Sequence, residues 1–214
     1  ISALDSSQIA AIQTEDVAAI NVNVIASLST DVIAGLDTTQ IASLSSTQIA
    51  KLTTAQFSTL TSEDVTALTS GQFGSITSAQ ITSFTTDQLT AMEAADVAKI
   101  GVTALAAMGT DQLAALLTSQ IAAMSNTQVK ALTTDQLTSL TTDQVAALTT
   151  DQIVSLLTKQ LAGMTTAQVA ALTTDQVSNL TVAQLAGMTT KQIASMETED
   201  QQALTATQLV ALTT

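Results

Sequence analysis

Histidine, cysteine, proline, tryptophan, tyrosine and arginine are all missing from this 214-residue sequence. Each absence removes a class of chemistry. Ser and Thr are abundant, but without His no Ser-His-Asp triad can be assembled. Metal sites lose their His and Cys ligands. The lack of Cys is compatible with an extracellular protein that does not use disulfides. Positive charge is scarce too: Lys51, Lys99, Lys130, Lys159 and Lys191 are scattered along the chain, against a net charge of −13. That balance argues against nucleic acid and anionic membranes as partners. No apolar run reaches the 18 or so residues that a membrane-spanning helix needs, and no signal peptide is visible. We therefore expect no enzyme, no cofactor, no metal site and no membrane insertion.

What is present is one eight-residue phrase. In Thr133–Leu156 it occurs three times, as TTDQLTSL, TTDQVAAL and TTDQIVSL. Lettered e-f-g-h-a-b-c-d, it has a capping residue at e, Gln at h, large apolar residues at a and d, and small residues at b and c. Thr followed three residues later by Gln, just before an apolar residue, is the signature of a helix start. The e side chain accepts from the backbone N–H of h, and the h side chain reaches back to the N–H of e. The preceding d residue and the following a residue then occupy the two positions of a hydrophobic staple, pairing Leu132 with Leu137, Leu140 with Val145 and Leu148 with Ile153. Asp at g falls in the first turn, where the helix dipole favours a negative charge.

Each octad thus specifies its own capped helix of about two turns, roughly 10 Å long. One continuous helix fits poorly, because eight residues advance about 800° and the apolar pair would drift by about 80° per octad. A strand fits no better, since a and d, three apart, would point to opposite faces. A two-turn helix is unstable alone in water, so stacking of coils must supply the stability, as in a solenoid. The expected fold is an all-α repeat solenoid or superhelix, one short helix per octad.

From Asp5 to Leu212 the chain holds 26 octads without insertion or deletion. Position d is apolar in all 26, a in 25 (Gln201 being the exception), and h is Gln in 19 and Asp in four. Such register predicts a single continuous array over residues 1–214, with no linker and no second domain. Both ends cut through a phrase, Ile1-Ser2-Ala3-Leu4 at one and Thr213-Thr214 at the other. This suggests a segment of a longer array, a unit that docks end to end with copies of itself, or a cut made by an experimenter. The first four octads are less regular. Capping lapses over 93–108, and Gly101 and Gly109 both stand at e; a softer joint or a change of curvature near 93–109 is expected. Leu117 and Leu157 also stand at e, where extra packing under a covered corner is expected. Gln201 and Gln202 make octad 197–204 the weakest. The number of octads per coil stays open, because Phe57 and Phe73, like Met92, Met108 and Met124, are spaced by 16, whereas Met164 and Met188 are 24 apart.

Candidate chemistry is sparse. Asp135, Asp143 and Asp151 could form a ladder if consecutive octads stacked in register, but a calcium site needs six or more oxygens. Dipole-favoured first-turn Asp is the simpler account. Glu15-Asp16, Glu63-Asp64 and Glu199-Asp200 match no catalytic pair, and Asp at h serves as a shorter capping acceptor. The six Met residues all sit at d and read as core. Asn179-Leu180-Thr181 fits a glycosylation acceptor. Threonines at f face solvent, and a regular Thr face could order water and bind ice.

The phrases TTDQ, TTAQ and SSTQ followed by VAAL or IASL resemble the octapeptide repeat arrays of very large bacterial secreted or surface proteins of adhesin-like type. The resemblance covers the whole chain. It implies an extracellular scaffold, and with the repeat pattern we expect a stalk, spacer or filament segment of a bacterial surface or secreted protein, partnered by flanking repeats or by end-to-end self-association. The alternative is a binding module in which a Thr face or solenoid groove takes ice, a glycan or a peptide.

Overall fold

The computed structural model describes the backbone of residues 6–212; the phrase fragments at either end lie outside the described residues. Among the described residues there are 26 helices and no strand. The first is Ser6–Ala10 and the last Ala206–Ala211. Every one begins at position f, so helix starts recur once per octad without exception. The helices are four to six residues long, between one and two turns.

The phrase sets both ends of each helix. In Thr142–Ala147, Thr141 is extended (φ −68°, ψ 162°), its Oγ1 accepts from Gln144 N at 3.2 Å, and Gln144 Oε1 accepts from Thr141 N at 2.8 Å. Two of the N–H groups that a helix start leaves unpaired are thereby satisfied. At the other end Leu148 is extended (φ −58°, ψ 139°), and its N–H donates to Val145 O at 3.2 Å. Residues d and e together turn the corner into the next helix. Among the described residues no φ is positive, so these corners do not depend on glycine.

Within each unit a helix packs on the helix three octads later. Thr14–Ala18 meets Thr38–Ser43, which meets Ser62–Ala67; further on, Thr142–Ala147 meets Thr166–Ala170, which meets Thr190–Ser195. One turn of coil is therefore three octads. The three-octad spacing of Met164 and Met188 reflects that turn; the two-octad spacings of Phe57/Phe73 and of Met92/Met108/Met124 do not.

The chain forms two compact units, divided between Met108 and Gly109. Both follow the same rule. The division lies at the end of the stretch in which capping lapses: Glu93, Gly101 and Gly109 make no side-chain cap bond.

The core is the a and d column. Val145, Ile153, Leu161 and Val169 at a, and Leu140, Leu148, Leu156 and Leu172 at d, are all buried. The staple pairs Leu132/Leu137, Leu140/Val145 and Leu148/Ile153 are likewise buried at both members. Full burial of one such side chain contributes about 1.5–3 kcal/mol, which offsets the cost of nucleating so short a helix. Residue d also reaches residue a of the turn before it. The rings of Phe57 (a) and Phe84 (d) lie 5.1 Å apart at 42°, a favourable tilted aromatic pair.

Small residues at b and c let the turns approach. Position c lies against position f three octads earlier. Ser43 Oγ donates to Thr14 O at 3.2 Å, and Ser155 Oγ to Asn126 O at 3.4 Å. A Cβ placed on Gly163 would stand 2.2 Å from Thr134 Cγ2, and one on Gly187 2.0 Å from Thr158 Cγ2.

Candidate functional site

The polar residue repeated most often at one position is the glutamine at h, buried in most octads. Its side-chain oxygen belongs to its own helix and its side-chain nitrogen to the turn of coil before it. Gln176 Oε1 accepts from Thr173 N at 2.8 Å, while Gln176 Nε2 donates to Leu148 O at 2.6 Å, with Val145 O at 3.1 Å and Ala146 O at 3.2 Å. The same pairing, 28 and 31 residues back, recurs at Gln40, Gln56, Gln72 and Gln80 in the first unit, and at Gln144, Gln152, Gln168, Gln184 and Gln192 in the second.

The carbonyls need these donors. Because d is extended, the helix stops there: Val145 O still takes the N–H of Leu148, but the carbonyl of Leu148 itself has no intrahelical N–H to take. A primary amide has two hydrogens and an oxygen with two lone pairs. One glutamine therefore closes a helix start and the helix end beneath it together. Sequence reasoning found the oxygen's role and missed the nitrogen's. The available signal was that Glu never occurs at h, although a capping box accepts Glu as readily as Gln.

Asp at h does only part of this work. Asp64 closes a box, accepting from Thr61 N at 2.9 Å, as expected of a shorter capping acceptor. Asp96 and Asp200 follow Glu at e (Glu93 and Glu197), which makes no cap bond. They instead accept from a hydroxyl in the turn before: Ser70 Oγ to Asp96 Oδ1 at 2.9 Å and Thr174 Oγ1 to Asp200 Oδ1 at 2.8 Å.

Other sequence-derived positions divide clearly. All six Met are buried at d. Asp135, Asp143 and Asp151 are exposed in the first turns of Thr134–Ser139, Thr142–Ala147 and Thr150–Ser155. These helices follow one another around a single turn, so the three carboxylates belong to different columns and form no ladder. Asn179 is exposed, its Nδ2 donating to Asp175 O at 2.8 Å. Gln201 is exposed and donates to Met196 O at 3.1 Å.

Leu117 and Leu157 correct an expectation. They lie under no covered corner but are 47% and 37% exposed. Leucine offers no acceptor at the cap, so only half a box forms: Gln120 Oε1 accepts from Leu117 N at 2.8 Å and Gln160 Oε1 from Leu157 N at 2.7 Å. Gly109 behaves alike, with Gln112 Oε1 at 2.9 Å.

Among the described residues no group of three His, Cys, Asp or Glu side chains is arranged to hold a metal ion. Among them, too, no helix is long and apolar enough to cross a membrane.

No curated protein matches the chain. The ALTTAQ repeat family matches over residues 9–46, 33–70, 89–126, 121–158 and 150–182, which together span more than half of the sequence. Its six letters are positions c to h, seen here as Ala171-Leu172-Thr173-Thr174-Asp175-Gln176. They run from the end of one helix across the corner to the glutamine that ties the turns. The chain belongs to the ALTTAQ repeat family.

Proposed function

We propose that this chain is a mechanical element, an extracellular stalk, spacer or filament segment of a bacterial surface or secreted protein. The observation that carries the reading is the recurrent inter-turn glutamine bond. Each octad with Gln at h ties itself to the turn before it, so adding such octads adds the same contacts again. The net charge of −13 keeps such a body soluble, and the resemblance to bacterial surface arrays supplies the setting. Electron microscopy of the purified chain at rising concentration tests this. Uniform rods, or filaments that lengthen with concentration, are expected; compact particles with no long axis would sink the proposal.

A column of exposed threonines favours a second reading. Thr118, Thr142, Thr166 and Thr190 recur at every third octad, one per turn, on helices that pack in succession. A regular hydroxyl row suits a hydrated or crystalline-water surface. Thermal hysteresis in the purified chain would support ice binding, and its absence removes that version.

A further inference from the structure

We propose that one edge of the second unit, built from Lys130, Val154, Leu157, Lys159 and Val182, docks sideways onto the acidic edge of a second copy of this chain. The two edges share a geometry and differ in charge. A groove of about 370 Å³ lies where residues 130–134 meet the start of Thr158–Gly163 in the turn that follows, and it carries Lys130, Leu157 and Lys159. Five octads on, a groove of about 360 Å³ repeats it, with Ala170, Glu197 and Glu199 in the same three places. The shape therefore belongs to the coil, and the side chains alone decide what each groove takes. Five octads are not a whole number of three-octad turns, so the two grooves open on different sides.

Each edge continues over several turns. Thr134–Ser139, Thr158–Gly163 and Val182–Ala186 pack in succession, and Asp135 is the one acidic residue among them. Leu157 and Val182 are 37% and 43% exposed there, and Val154, three residues before Leu157, is 38% exposed. Thr150–Ser155, Thr174–Ser178 and Thr198–Ala203 pack in succession as well. They carry Asp151, Asp175 and Glu199 in their first turns, with Glu197 just before the last, and no lysine. Leu157 tells most. A Thr at e would complete the capping box, so within its own chain Leu157 gives up a bond and leaves an apolar side chain in water. It stands between two of the chain's five lysines, whose aliphatic stems widen the apolar floor. An apolar anchor rimmed by charge suits a protein contact of complementary charge, and the acidic edge supplies that charge. Because the two edges are different surfaces, each docking leaves one of each kind free, and rows of coils result. The contact uses the sides of the coil and not its ends, so it stands apart from the stalk reading.

Sedimentation velocity at low ionic strength and rising concentration tests this with two charge-reversed chains. One carries Lys130→Glu and Lys159→Glu, the other Asp175→Lys and Glu199→Lys. All four positions are exposed, and position g holds Lys191 and Glu63 elsewhere in the array, so both chains fold. Each reversal moves the net charge by two, so a pair of them takes −13 to −17 in the first chain and to −9 in the second. Both stay acidic, and overall attraction cannot pair them. The native chain should self-associate, each variant alone should stay monomeric, and their equal mixture should form a complex. Leu157→Thr should weaken the native association about tenfold while raising the melting temperature of the dilute chain. A native chain that stays monomeric overturns the proposal. So does association that each variant keeps when alone, which would place the contact at the ends or elsewhere, and so does a mixture that does not pair.

Discussion

Gln176 Nε2 lies 2.6 Å from the carbonyl oxygen of Leu148, 28 residues earlier in the chain. Gln176→Glu keeps the capping acceptor for Thr173 N and replaces the donor with an oxygen facing three carbonyls. Leaving buried acceptors unpaired costs about 1–3 kcal/mol, more when a charge is involved. Removing the cap alone, by Thr173→Ala, costs about 1 kcal/mol. Urea unfolding should thus show Gln176→Glu to be the more damaging. If it is no worse than Thr173→Ala, the inter-turn bond contributes nothing.

Gly163 ends the helix Thr158–Gly163, where Ala would ordinarily gain up to about 1 kcal/mol in helix propensity. Here the new Cβ would stand 2.2 Å from Thr134 Cγ2. Gly163→Ala should destabilise by about 1–3 kcal/mol, the usual range for overpacking. Thr134→Ser removes the clashing methyl and should recover most of the loss. A double-mutant cycle without coupling between the two positions would show that the turns do not meet there.

Leu117→Thr and Leu157→Thr should each stabilise the chain. The change completes a half-made capping box, for about 1 kcal/mol, and removes an exposed leucine. A rise in melting temperature for both variants is the expected readout. A fall would mean that the leucines pack against something after all.

Asp37 is the carboxylate cap of Thr38–Ser43. The Thr39 hydroxyl donates to its Oδ1 at 2.6 Å and Gln40 N at 2.8 Å, and these bonds hold its carboxyl below the usual carboxylate range. A lowered folded-state pKa favours the ionised form in the native chain. Its contribution is present above the ordinary carboxylate value and is lost as pH falls through the lowered one. Hydrogen-exchange protection over 38–43 should fall in acid for the native chain, and fall less for Asp37→Thr, whose cap does not titrate. Equal acid sensitivity in the two would refute the assignment.

The helix, its cap and its inner face were legible from spacing alone, because all three are local. Thr141 finds Gln144 three residues away, and Leu140 and Val145 bracket the same corner. The three-octad turn was not legible. It depends on how far the d–e corner bends the path, which no residue type states, and Phe57/Phe73 and Met164/Met188 suggested different answers. The nitrogen half of Gln144 was hidden for the same reason: its partners at Leu113 and Leu116 are near only once the coil has closed. Leu157 was misplaced because its apolar character suggested burial, whereas position in the octad set its exposure.

The corner at d and e, reached without any positive φ, has a genetic consequence. An in-frame loss or gain of eight codons leaves every later glutamine facing an equivalent pair of carbonyls, with the columns merely reassigned by one side. Loss of a number that is not a multiple of eight breaks the bonds that span the deletion, over about one turn of coil. Copy number can therefore drift in single octads, although the coil itself is built in threes.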